Sequence, residues 1–387
     1  MKKFVALLLC LCLCLGMAGV GSAEEGLGTI MWLSNISSGI QYEATRDYLT
    51  AICDAMGYDF TIVYGDSFDD AAGNLTAVSN GMTSDTVGLI VSQAGGLASI
   101  MEQYPDLYVA GYNTDMTSVY NEDGANASVL ENDHFLGTLC DGFAYGAKMG
   151  GQYFDVVLEK GYKRISVVNF PGYAYPNQTA AVETFLAKLD EYNASAAEED
   201  KITLVSDPLT LEFQPLADSY FLEEGHDDID CLVSFCNGLL FVYPTLVTAK
   251  LNGFCRADTQ MITGGFDNNA DIVADIGEDK TISWITCAPA EDPAYALVLL
   301  DNAITGNQFA DFAVERVDSA AYTIDSTEDI ENVMSKSMLG TGDVSLAQIS
   351  VDEVLNLCVR FNPDATFQGL KDIFHSAQVT SDALMAE

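Results

Sequence analysis

The sequence predicts an α/β protein made of two lobes, each a doubly wound parallel sheet flanked by helices. Strand-like and helix-like segments alternate in strict turn along most of the chain, which favours right-handed strand–helix–strand units and parallel sheets. The rhythm restarts near "VLENDHFLG" (129–137), so the same unit occurs twice without obvious sequence identity. The chain has 387 residues, more than one hydrophobic core usually organises.

The elements follow in order. Lys2 and Lys3, the apolar run "FVALLLCLCLCLG" and the small residues Gly21-Ser22-Ala23 form a secretory signal peptide over residues 1–23, too short and wrongly flanked for a membrane span. Its Cys10, Cys12 and Cys14 each follow a leucine where a lipoprotein wants a small residue; a soluble exported product is favoured and a lipid anchor stays open. "GTIMWLS" (28–34) is a short buried strand, and "SGIQYEATRDYLTAICDAMG" (38–57) is an amphipathic helix closed by Gly57. Strand "YDFTIVYGD" (58–66), helix 69–83, strand "TVGLIVSQ" (86–93), helix 97–105 and strand "LYVAGYN" (107–113) continue the pattern. After the restart come a long helix over 137–161, strand "RISVVNF" (164–170), helix 179–193, and strands 201–206 and "IDCLVSFCN" (229–237). Helix 242–253, strands "QMITGGFD" (260–267) and "TISWITCA" (281–288) and helix 293–306 complete the second unit, and "FAVERVDSAAYTI" (312–324) has the character of crossover strands. Amphipathic helices 350–362 and 366–377 lie beyond the repeat and are expected to cover the surface of one lobe.

Charge narrows the function. With 16 Lys+Arg against 57 Asp+Glu the net charge is −41, so nucleic acid and anionic membrane surfaces are repelled. Hydrophobic residues make up 49% of the chain, which marks a folded protein and not an acidic disordered tail. Beyond the leader, Cys53, Cys140, Cys231, Cys236, Cys255, Cys287 and Cys358 show no CxxC and no zinc-type pairing with histidine, and are expected as buried thiols.

In an open parallel sheet, ligands sit outside the carboxyl ends of the strands. Those ends carry Ser34, Asn35 and Ser37; Ser92 and Gln93; Tyr112, Asn113 and Asp115; then Phe170, Tyr173, Tyr175 and Asn177; Asn237; and Phe266, Asp267 and Asn268. Amides, hydroxyls, aromatics and an occasional carboxylate hydrogen-bond and stack against a small polar ligand; they do not pair a nucleophile with a base. Trp32, inside the first strand, is assigned to the core. His134 is expected to be structural or exposed, and His226, in "EEGHDDID", to lie in a solvated loop. There is no GxSxG elbow and no phosphate-cradling GxxxxGK[ST]. Asp267, Asn269, Asp271, Asp275 and Glu278 match positions 1, 3, 5, 9 and 12 of a calcium loop, but Ile272 stands where the sharp turn requires glycine, so a helix is expected there and no metal.

In their order, these segments resemble the type I periplasmic binding proteins, close to the ribose-like sugar-binding components of ABC transporters. The resemblance covers about residues 28–325 and rests on the opening strand and helix, on "TVGLIVSQ", on "ENDHFLGTLCDGFAYGAKMGG" as the crossover, and on the strand ends "LVSFCNG" and "ITGGFDN". It implies two Rossmann-like lobes joined by a three-segment hinge near 131–134, 285–290 and 311–315. The N-terminal lobe would span 26–131, completed by about 287–312; the C-terminal lobe 135–285, completed by about 313–335; residues 336–387 would be a helical extension. Asn35, Ser37, Gln93 and Asn113 would line the first lobe's wall, and Tyr173, Tyr175, Asn177, Asn237, Phe266 and Asp267 the second. The family's arginine after the first strand of the second lobe, its aromatic pair after the first strand and its glutamine near "TCAPAEDPA" are absent. What is expected is an exported, monomeric, non-enzymatic protein without cofactor that carries a small neutral polar ligand, a sugar ahead of a nucleoside, to a membrane permease. A receptor presenting its ligand to a sensor, and more remotely a hydrolase on a doubly wound scaffold, are the alternatives.

Overall fold

The computed structural model describes residues 26–65, 70–112, 116–121, 124–140, 143–318 and 321–376; the leader, Asn113 and Asp115 lie outside them. In chain order the strands are β1 (Thr29–Ser34), β2 (Asp59–Tyr64), β3 (Thr86–Val91), β4 (Tyr108–Tyr112), β5 (Phe135–Cys140), β6 (Arg164–Asn169), β7 (Thr203–Leu204), β8 (Leu209–Thr210), β9 (Cys231–Asn237), β10 (Gln260–Gly264), β11 (Ile282–Cys287), β12 (Arg316–Asp318) and β13 (Tyr322–Ile324). They form two sheets. The first runs β12-β5-β4-β3-β1-β2 and is parallel throughout. The second runs β13-β11-β10-β9-β6-β7, with β8 also on β6, and is parallel except for the antiparallel β11–β13 pair.

Alternation along the strands buries both faces of each sheet. Met31, Leu33, Leu89, Val91 and Val109 fill one side of the first sheet, and Ile30, Trp32, Ile90 and Ala110 the other. This is the near-continuous apolar pattern of a parallel sheet covered by helices on both faces. In the second lobe Ile165, Val167, Cys231, Val233 and Ile262 pack against Phe154 and Phe185 of helices Phe143–Glu159 and Pro176–Ser195.

Those two helices meet at glycines. A Cβ on Gly146 would run into the Asn177 carbonyl, and one on Gly150 into the Ala181 carbonyl. Because neither backbone has room to give, Gly150→Ala is expected to cost about 1–3 kcal/mol by overpacking, measured as a lower urea midpoint.

The crossings between sheets fall later than expected at two of three places. Phe135–Cys140 is a strand of the first sheet, with Val109 opposite Phe135 and Tyr112 opposite Leu139, so the helix expected over 137–161 begins only at Phe143. Gly137 explains this: its φ of 99° is foreign to a helix, and a Cβ there would meet the Glu315 carbonyl at 2.6 Å. The chain therefore first crosses after Cys140, crosses again through 288–293, and crosses last after Asp318, because Arg316–Asp318 pairs with β5 in the first sheet.

The C-terminal helices lie on the first lobe. Tyr48, from helix Ile40–Met56, hydrogen-bonds to the Ile349 carbonyl; the Val359 N–H donates to Asn302 Oδ1 at 2.8 Å; and Arg360 reaches the buried Asp301 at 2.6 Å. His226 is buried, contrary to its solvated-looking sequence: Gly225 in the left-handed region turns it inward, where a ring nitrogen meets the Tyr220 carbonyl at 2.9 Å. His134 sits before β5, at the amino end of the first sheet, with its ring against Tyr108. Cys53, Cys231, Cys236, Cys255, Cys287 and Cys358 are buried free thiols, and burial pushes those of Cys53, Cys231, Cys287 and Cys358 well above the ordinary range. Among the described residues no helix is long and apolar enough to cross a membrane.

Candidate ligand-binding cleft

The carboxyl ends of β1, β3 and β4 in one lobe face those of β9 and β10 in the other across a cleft of about 540 Å³. That volume suits one ring-sized ligand. From the first lobe, β1 ends in a hydroxyl-braced turn in which Ser34 Oγ donates to the Ile36 carbonyl at 2.7 Å and accepts from its N–H at 3.2 Å. Ser92 Oγ, just past β3, lies 3.3 Å from Asn35 Oδ1 and 3.2 Å from the Leu33 carbonyl, which fixes the Asn35 amide at the wall.

Behind this turn, aromatic rings form the apolar side. Trp32 stacks on Tyr42 with centroids 5.5 Å apart and leans on Tyr112 at 6.2 Å. The Tyr42 and Tyr64 hydroxyls share a hydrogen bond of 2.5 Å. Burial, followed by that bond, pushes the Tyr42 phenol up to about 12, so it stays a neutral hydroxyl at physiological pH. Burial likewise raises the Tyr112 phenol.

The connecting segment 288–293 forms the floor, with Pro289 and Pro293 lining the cleft. Gln41 Nε2 donates to the Ala288 carbonyl at 3.0 Å and Thr45 Oγ1 to the Ala290 carbonyl at 3.2 Å, so the first helix holds the hinge directly. Under the floor, the Glu291 carboxyl is 1% exposed; burial raises its affinity for a proton, while the Gln348 N–H donates to Oε1 at 2.9 Å.

The second lobe contributes Asn237, Leu240, Phe266 and Asp267. Gly265 makes their approach possible: its φ is 103°, and a Cβ there would stand 2.9 Å from Asn237 Oδ1. Asp267 Oδ1 accepts from the Asn269 N–H at 2.8 Å, and Asn269 in turn caps the short helix Ala270–Val273 by accepting from the Asp271 N–H at 2.9 Å. The cap is thus Asn269. Asp267 braces it with one oxygen, and its other oxygen has no protein partner among the described residues. Apart from tyrosines, Asp267 is the one titratable side chain among the described residues lining the cleft, which pair no nucleophile with a base.

A glucose–galactose binding protein from Geobacillus stearothermophilus superimposes with a TM-score of 0.56 at 11% identity, covering 77% of this chain and 97% of that one. An ABC-transporter solute-binding protein from Agrobacterium vitis, bound to α-D-tagatopyranose, gives 0.57 at 10% identity, covering 80% and 96%. A LacI-family transcriptional regulator from Burkholderia phymatum gives 0.55 at 15% identity, covering 78% and 98%. The chain has the fold of the type I periplasmic binding proteins. No family profile matches the sequence, and no curated protein does so.

In this type I fold the ten residues singled out from sequence are divided. Asn35, Asn237, Phe266 and Asp267 come together at the cleft. Gln93 is turned away and buried, its amide donating to Asn74 Oδ1 at 2.7 Å. Ser37 is exposed on the loop beside the cleft and does not line it. Tyr173, 67% exposed, reaches Glu212 at 3.3 Å; Tyr175 packs on Phe170 and Phe213; neither lines the cleft. Asn177 is buried in the first turn of a helix that Pro176 starts, with Gln178 Oε1 accepting from the Phe170 N–H at 2.8 Å.

Trp32 corrects its assignment as core alone: only 2% exposed, it packs inside and also presents an edge to the cleft. Gln41, Tyr42 and Thr45 were missed because strand ends alone were searched, although the helix after β1 starts at the same carboxyl edge.

Proposed function

We propose that the chain is an exported solute-binding protein that captures a sugar between its lobes and delivers it to an ABC-type membrane permease. The observation that carries this is the cleft itself: both sheets aim amide, hydroxyl and carboxylate groups at one ring-sized space backed by Trp32, Tyr42, Tyr112 and Phe266. Flat rings match the apolar faces of a sugar, and directed polar groups match its hydroxyls. With no Lys, Arg or His among the described lining residues, an anionic ligand lacks a cationic partner. Ligand binding draws the lobes together about the 288–293 segment, and the permease recognises the closed form.

A thermal-shift screen of sugars, nucleosides and amino acids on the purified protein tests this reading. Stabilisation by sugars supports it; stabilisation by dicarboxylates or phosphates alone, or turnover of the bound compound, would end it. Asn35→Ala removes one neutral hydrogen-bonding partner and is expected to weaken sugar binding by about 1–2 kcal/mol, or about 5- to 30-fold, measured by titration calorimetry.

A further inference from the structure

The cleft carries an unbalanced charge. Asp267 supplies a carboxylate, and Arg46, whose guanidinium lies over the ring of the lining residue Tyr42 at 5.9 Å, is outside the lining and tied to Asp47 at 2.8 Å. The internal segments outside the described residues, 66–69, 113–115, 122–123, 141–142 and 319–320, contain no Lys, Arg or His. Two further carboxyl groups, Glu291 and Asp292, are 1% and 2% exposed in the hinge segment under the floor, and the chain as a whole is at −41.

Closing the lobes on a neutral sugar would take the Asp267 carboxylate out of water with only hydroxyl donors to face it. Removing an unpaired charge from water is costly, whereas a cation placed against it recovers much of that cost. The strongly acidic chain also steers cations toward the mouth. We propose that the ligand is an amino sugar whose protonated amine pairs with Asp267 while the Asn35 and Asn237 amides take its hydroxyls. The inference rests on the sugar-binding reading and replaces the expectation of a neutral ligand.

The test is calorimetry on the mature full-length protein, at a pH where amines are protonated. The probes are the 2-amino, neutral and uronic-acid forms of glucose, galactose and mannose, with putrescine as an acyclic amine. The amino form is expected to bind at least about tenfold more tightly than its neutral parent, with the preference shrinking at high salt. Asp267→Asn keeps the shape of the group and removes its charge; it is expected to lower amino-sugar affinity about 100-fold and neutral-sugar affinity by about tenfold or less, erasing the preference. Neutral sugars bound as well as or better than amino sugars would overturn the amine pairing and leave sugar binding standing. Putrescine bound with no hexose bound would uphold the pairing of an amine with Asp267 and overturn the sugar. No binding by any probe would overturn both.

Discussion

Arg360→Ala is expected to destabilise the ligand-free protein by about 3–5 kcal/mol, because it breaks a buried ion pair from one side. Its partner Asp301 is fully buried in helix Ala294–Ile304, under the first sheet. The guanidinium grips it with two nitrogens, Nη2 at 2.6 Å and Nε at 2.9 Å, and also donates to the Met56 carbonyl. Without it, the buried carboxylate is left with uncharged side-chain partners, the Tyr58 hydroxyl at 3.1 Å and the Cys358 thiol. The guanidinium also lies 4.2 Å from the Phe361 ring centroid, so its removal loosens the start of the segment leading to the last helix. The measurement is urea unfolding at neutral pH. A loss below about 1 kcal/mol would mean that water reaches Asp301 and that the C-terminal segment is held by apolar contacts such as Phe374 on Tyr295 instead.

How much of this was legible in the sequence depends on where each signal sits. Strand–helix alternation reflects burial on both faces of a sheet, and β1 to β4 are found at the places where apolar runs such as "TIMWLS" and "TVGLIV" stand. β5 was not legible because the short run "FLGTLC" is followed after only two residues by a helix-forming segment, and the left-handed φ of Gly137 within that run does not show in a single sequence. At the cleft, the rule that ligands sit at strand ends picked out Asn35, Asn237, Phe266 and Asp267, which line it because the carboxyl ends of both sheets open onto the same space. The same rule also named Gln93 and Asn177, both buried outside the cleft lining, Gln93 with its amide on Asn74, because hydrogen-bond demand inside a fold cannot be counted from residue type. Trp32 was ambiguous for a physical reason: a large ring near the carboxyl end of a strand can be buried by area and still wall a cavity.

Asp267→Ala is expected to weaken ligand binding by about 2–4 kcal/mol, roughly 30- to 1,000-fold, because it removes a charge-assisted acceptor and leaves ligand donors unpaired in a desolvated cleft. The structure sharpens this expectation by separating two jobs. One oxygen braces the Asn269 N–H at 2.8 Å, and Asn269 then caps helix Ala270–Val273 with its own side chain. Since the cap survives without Asp267, the free protein should lose about 1 kcal/mol or less. The remaining oxygen, without a protein partner among the described residues, is the one that ligand must satisfy. Melting temperature and dissociation constant measured on the same Asp267→Ala protein distinguish the jobs. A clear fall in melting temperature with unchanged affinity would make Asp267 a brace for the Gly265–Asn269 turn and leave the second-lobe wall to Asn237. A large loss of affinity with little change in melting temperature would identify the carboxylate as the point where the second lobe holds its ligand.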